Sequence, residues 1–162
     1  MNIYSWLLSI FLLCIPPSLW AQQTERGQQL GMALEYFTAG KYHEALLIFE
    51  RLNNKYHLNP RYIAFMGICY YYEWNYELAV KYLNSSIPTL SCFAPHERSF
   101  YYWANGESYF MLQRYTEAIP CYKEMLQLCY PNERADAYYR LGHCYLISQQ
   151  WQQAYDNLQL AL

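Results

Sequence analysis

Cysteine and histidine are the residue types in this sequence best suited to chemistry, and their spacing argues against it. A metal site built on a helix needs two ligands on one face, three or four residues apart. The four histidines, His43, His57, His96 and His143, lie much further apart than that. His143 and Cys144 are adjacent, so on a helix they point to different sides. Five of the six cysteines follow Ala21: Cys69, Cys92, Cys121, Cys129 and Cys144. Their number is odd and no compact disulfide framework is visible in their spacing. Cys121 and Cys129 stand about 12 Å apart along a single helix, beyond the reach of a mutual disulfide. The expectation is buried cysteines acting as small hydrophobes, with one loop-linked bridge through Cys92 as the alternative. No nucleophile elbow, glycine-rich phosphate loop or EF-hand loop is present. The sequence therefore predicts no enzyme, no cofactor and no metal.

Charge and composition remove further classes. The 162 residues carry a formal net charge of -2, and neither sign dominates a long stretch. Nucleic-acid binding would call for a basic patch or stripe, so no nucleic-acid partner is expected. Hydrophobic residues make up 54% of the chain, 20 of them tyrosines, which is too much apolar surface for a disordered chain.

The first 21 residues differ from the rest. Met1 to Ala21 contains no Asp, Glu, Lys or Arg, Leu7 to Ile15 is apolar or small throughout, and Pro16-Pro17 precede Ser18-Leu19-Trp20-Ala21. That order predicts a signal peptide over residues 1–21, cleaved after Ala21, and hence a periplasmic or secreted protein. The apolar run is too short to span a bilayer well, so no membrane span is expected in the mature chain. Cys14 raises a lipoprotein signal as an alternative, against which Leu13 is bulky where a small residue is wanted.

From Gln22 onward the chain repeats. Tyr36, Tyr70, Tyr109 and Tyr145 recur at intervals of 34, 39 and 36 residues. Three residues before each stands a small residue: Ala33, Gly67, Gly106 and Gly142. Six residues after each comes an aromatic (Tyr42, Tyr76, Tyr115, Trp151), then an alanine (Ala45, Ala79, Ala118, Ala154), then a large side chain (Phe49, Leu83, Tyr122, Leu158). Steps of three and four keep each set on one helical face. The small residues let two helices approach closely while the large ones fill the space beside them. Asn59-Pro60 and Pro131-Asn132 mark new starts, with Asn132 an expected N-cap. The spacing predicts eight helices in antiparallel pairs, over 24–38 and 42–56, 60–73 and 76–87, 97–112 and 115–129, 133–147 and 151–162. The 39-residue interval places about five extra residues in the Ser85–His96 loop, and Pro120 falls inside a second helix.

This pattern resembles the tetratricopeptide repeat (TPR), W-x2-L-G-x2-Y followed by A-x3-F. The resemblance covers essentially all of the mature chain. Its tryptophan slot holds Gln29, Ile63, Tyr102 and Tyr138 here, and its leucine slot Met32, Met66, Asn105 and Leu141. It implies an all-α fold, a right-handed α-solenoid of about four TPR hairpins spanning 26–59, 60–93, 99–132 and 135–162. It also implies a concave face lined by the first helix of each pair, suited to holding a peptide or protein.

Residues rotated about 100° from the buried stripe should line that face. They are Leu34 and Phe37, Ile68 and Tyr71, Trp103, Glu107 and Phe110, and Tyr139, His143 and Leu146. Of these, Phe37, Ile68, Tyr71, Trp103, Glu107, Phe110, Tyr139 and His143 are the expected partner-binding set. The lining has no lysine, so the basic carboxylate clamp of some family members is absent, and anchoring would be apolar and aromatic. The last helix presents Trp151, Ala154, Leu158, Ala161 and Leu162 on one side with no polar cap, which predicts an array open at its C-terminal end. Either self-association through that helix or further chain would cover it. The function expected is a protein-interaction scaffold. The alternatives are an extracytoplasmic sensor or assembly module of a longer signalling or enzymatic chain, and glycan binding through exposed rings.

Overall fold

The computed structural model describes the backbone of residues 17–162 and the side chains from Glu25 onward. The predicted signal peptide therefore lies largely outside the described residues. Among the described residues eight α-helices follow in order: α1 (Pro17–Thr38), α2 (Tyr42–Tyr56), α3 (Pro60–Tyr72), α4 (Tyr76–Ser86), α5 (Pro95–Met111), α6 (Tyr115–Leu128), α7 (Arg134–Ile147) and α8 (Trp151–Leu160). Among the described residues there is no strand. Each helix packs on the one before and the one after, and α3 also meets α5 across the intervening helix. This is an α-solenoid of four TPR-type hairpins.

The hairpins are built from the repeating slots. At Gly67 a β-carbon would stand 2.7 Å from Leu83 Cγ, and at Gly142 it would stand 2.5 Å from Leu158 Cγ. The small residue of each first helix thus faces the large residue sixteen positions later on the second helix. Glycine there is demanded by the helix–helix approach. The alanines Ala45, Ala79, Ala118 and Ala154 are buried with them.

The turn inside each hairpin repeats as closely as the packing. Gly40, Trp74, Gln113 and Gln149 all adopt positive φ, between 59° and 73°. In each turn two backbone bonds close the first helix, as in Lys41 N–H to the Tyr36 carbonyl at 2.9 Å and Gly40 N–H to the Phe37 carbonyl at 3.1 Å. That is the Schellman arrangement, whose left-handed residue is ordinarily glycine. Only the first hairpin has one.

Starts between hairpins are more varied. Asn59 caps α3 by accepting from the Arg61 and Tyr62 amides, with Pro60 at the first helical position, as expected. Asn132 does not cap α7. Instead Pro131–Glu133 forms a 3-10 turn, and the Glu133 carboxylate accepts the Tyr130 N–H at 2.9 Å. The inserted Ser85–His96 segment carries a second 3-10 turn, Ile87–Thr89, and buries Leu90. Pro120 sits within α6 without ending it.

Candidate functional site

The first helices of all four hairpins contribute to one cavity of about 540 Å³. Phe37 at the end of α1, Phe65 on α3 and the Phe100–Trp103 pair on α5 supply its aromatic surface. Arg61, Glu97, His96, Glu133 and Asp136 supply its charged and polar groups, and Met125 of α6 contributes an apolar side chain. The rings fall into two groups. Phe37 and Phe65 lie 4.6 Å apart, Phe100 stacks on Trp103 at 5.5 Å with 9° between planes, and Tyr71 meets Trp103 edge-on at 5.1 Å.

Two ion pairs tie successive hairpins together in this region. The Arg61 guanidinium donates to both Glu97 oxygens, at 2.7 and 2.9 Å, and lies over the rings of Phe65 and Phe93. Tyr101 donates its hydroxyl to Glu97 at 2.5 Å. One hairpin further on, His96 Nε2 stands 3.0 Å from Glu133 while the His96 ring stacks on Tyr130. The His96 hydrogen bond holds the Glu133 carboxyl below the usual carboxylate range. Asp136, in the first turn of α7, has no hydrogen-bond or ion-pair partner among the described residues.

Of the eight residues expected to bind a partner, Phe37 and Trp103 line the cavity. Tyr71 adjoins it through Trp103, and its hydroxyl is pushed up to about 12, chiefly by burial and then by the Glu107 charge. Phe110 is half-buried beneath the Arg140 guanidinium, 4.8 Å from its ring centre. Tyr139 and His143 pack on each other at 4.5 Å on α7, outside the cavity lining. Two residues depart from the expectation. Ile68 is fully buried in the core cluster. Glu107 is also buried, accepting from the Tyr122 hydroxyl at 2.6 Å and Arg140 Nη2 at 2.7 Å. Its charge is already committed, so Glu107 holds hairpins three and four together and presents no carboxylate to a ligand. The Tyr122 hydroxyl from α6 and the Arg140 side chain from α7 close over it.

Arg61, Phe100 and Asp136, which sequence reasoning passed over, hold one slot in three successive hairpins, seven residues before Ile68, Glu107 and His143. The same periodic rule carried two turns further toward the N-terminus would have found them. Their variety (a cation, an aromatic and an anion) hides the slot from any search for similar residues.

The cysteines take no part in this surface. Cys69, Cys121, Cys129 and Cys144 are buried, Cys92 is exposed, and all five are free thiols. Burial pushes the Cys69, Cys121 and Cys144 thiols up to about 12, so none is a thiolate nucleophile near neutral pH. Among the described residues no group of His, Cys, Asp and Glu is placed to hold a metal ion, and no helix is long and apolar enough to cross a membrane.

No family model matches the sequence, and no curated protein does. Solved structures match it throughout the array. The chain shares its fold with MamA. A MamA structure from AMB-1 superposes with a TM-score of 0.69 at 19% identity, covering 82% of this chain and 69% of that one. A further MamA crystal structure gives a TM-score of 0.70 at 15% identity, covering 89% and 80%. MamA from Desulfovibrio magneticus RS-1 gives 0.69 at 14% identity, covering 88% and 77%. At these identities the likeness to MamA is one of fold.

Proposed function

We propose that this protein is an interaction scaffold whose concave face holds a segment of a protein partner. One observation carries the reading: a single aromatic cavity is assembled from all four hairpins, so its shape exists only in the stacked array. Aromatic side chains backed by rigid helices lose little freedom on binding and supply most of the energy at such interfaces. The cavity's size falls within the range of sites that enclose a ligand group.

The test pairs photo-crosslinking with truncation. A photoreactive residue at Phe100 should trap a partner that the same residue at exposed Lys123, on α6, does not. Trp103→Ala should then reduce trapping about tenfold or more while helicity stays native. Unchanged trapping by a natively helical Trp103→Ala protein would reject the reading.

The same proposal places the protein outside the cytoplasm, on the strength of residues 1–21. Cleavage after Ala21 would remove Pro17 to Ala21 from the start of α1 and leave the contacts of α1 with α2 to residues further along. An intact mass lacking Met1–Ala21 is the result expected from protein isolated at its source, and a mass retaining them counts against this placement.

A further inference from the structure

We propose that the cavity receives an arginine side chain of the bound partner, seated between the Phe100–Trp103 ring pair and the carboxylates Glu133 and Asp136. This names the chemistry of the ligand in the scaffold reading and rests on that reading.

The chain itself shows how such a cation is held. At the junction of hairpins two and three, Arg61 lies over Phe65 and Phe93 and forks onto Glu97 of the next hairpin. Glu133 is the equivalent of Glu97 one hairpin later, each standing nine residues before the glycine of its repeat, Gly106 or Gly142. At that second junction the slot of Arg61 is taken by Phe100, and the slot of Phe100 by Asp136. The carboxylate slot therefore recurs, with one more acidic group than before, while the slots of Phe65 and Phe93 hold Ala104 and Cys129 and the ring comes instead from Phe100, in the slot of Arg61. Around the cavity three carboxylates, Glu97, Glu133 and Asp136, stand against one arginine. Glu97 is saturated by Arg61 and Tyr101. Glu133 is engaged by His96 and the Tyr130 N–H, and Asp136 by no partner among the described residues. The uncompensated negative charge thus lies beside the ring pair.

Arginine suits this arrangement better than a compact ammonium. Its planar guanidinium stacks on an aromatic face and keeps its in-plane donors free for carboxylates. Phe100 and Trp103 stack with 9° between their planes, and Phe100, the more exposed of the two, offers its outer face. Asp136 also serves the first turn of α7, where a negative charge favours the helix. That role explains an acidic residue in the turn, but not its position in a cavity wall beside stacked rings.

The probe is a pool of blocked pentapeptides with arginine at the centre and uncharged residues on either side. The control pool has citrulline, the neutral isostere, in its place. Binding is followed through the Trp103 indole N–H by nuclear magnetic resonance, with the signal assigned by Trp103→Phe. Half-saturation by the arginine pool should come at about one-tenth of the concentration needed by the citrulline pool. Asp136→Asn should abolish most of that ratio, and Glu133→Gln part of it, with thermal melting showing that both variants stay folded. Equal binding of the two pools, or a ratio unmoved by both variants, would overturn the arginine assignment and leave the scaffold reading intact. Binding of neither pool would also overturn it. The scaffold reading is judged separately, by crosslinking at Phe100 and its dependence on Trp103.

Discussion

The inside of each hairpin and the concave face across hairpins obey different rules. Within a hairpin the same contact is made with nearly the same residue types each time: Gly67 on Leu83, Gly106 on Tyr122, Gly142 on Leu158. On the concave face one slot holds Arg61, Phe100 and Asp136 in turn. A buried contact between two backbones tolerates little change of volume, so the hairpin interior is repeated. A surface facing solvent or a ligand carries no such constraint, so each hairpin can differ there. Stability should accordingly reside in the repeated slots and specificity in the variable ones.

The sharpest way to break that division is to truncate one residue of each kind in the same hairpin. Tyr122 is completely buried, packs its ring against Gly106 and donates to Glu107. Tyr122→Ala should cost about 3–5 kcal/mol, from the cavity it leaves and the hydrogen bond it removes. Tyr122→Phe, which keeps the ring, should cost about 2 kcal/mol, since the lost bond is to a carboxylate. Phe100→Ala, on the concave face, should cost no more than about 1 kcal/mol. Denaturant unfolding of the three variants decides the matter. Equal losses for Tyr122→Ala and Phe100→Ala would end the distinction.

The second prediction concerns the turns, where geometry repeats and residue type does not. Gly40 at φ 73° and Trp74 at φ 59° occupy the same left-handed position. Trp74 is 80% exposed, so its ring contributes little burial to set against the backbone cost. Trp74→Gly should therefore stabilise the protein, and Gly40→Ala destabilise it, each by about 1 kcal/mol. Thermal melting gives the signs. A destabilised Trp74→Gly would mean that the indole makes a contact worth more than the strain.

What could be read from the sequence follows the same division. All eight helices were legible within a few residues, except that α1 begins earlier, because the Ala/Gly–Tyr–Ala–large series is imposed by packing that recurs. At the start of α7 only the cap differs from the expectation, because Pro131 and Glu133 shape a 3-10 turn there in place of a side-chain cap from Asn132. Helical period points Ile68 and Glu107 toward the binding face, but it does not show which neighbouring side chains bury them. Asn105, a polar residue in the leucine slot, is explained only by its partner: its amide donates to Asn84 at 2.8 Å, and Asn84 in turn to the Tyr109 hydroxyl at 2.6 Å. Leu46 and Val80 are 7% and 6% exposed beneath the following hairpin, whereas Tyr155 in the same slot of α8 is 63% exposed.

The smallest expected effect tests whether junctions between hairpins respond to pH while hairpin interiors do not. His43 on α2 stands 2.8 Å from the Glu73 carboxylate just beyond α3, and that hydrogen bond with its charge raises the imidazole above its ordinary value. A histidine whose folded value exceeds its unfolded value stabilises the fold fully below the unfolded value. The contribution fades as pH rises through the raised folded value. Both groups are largely at the surface, so solvent and salt screen the pair and the shift should be small. His43→Ala should therefore lower the melting temperature slightly at pH 5.5 and leave it unchanged at pH 8.5, with the difference shrinking in high salt. Tyr122→Phe, whose partner is buried, should lose the same stability at both pH values. An equal loss for His43→Ala at both would show that His43 acts through packing, and the contrast between junction and interior would then rest on the truncation and turn experiments alone.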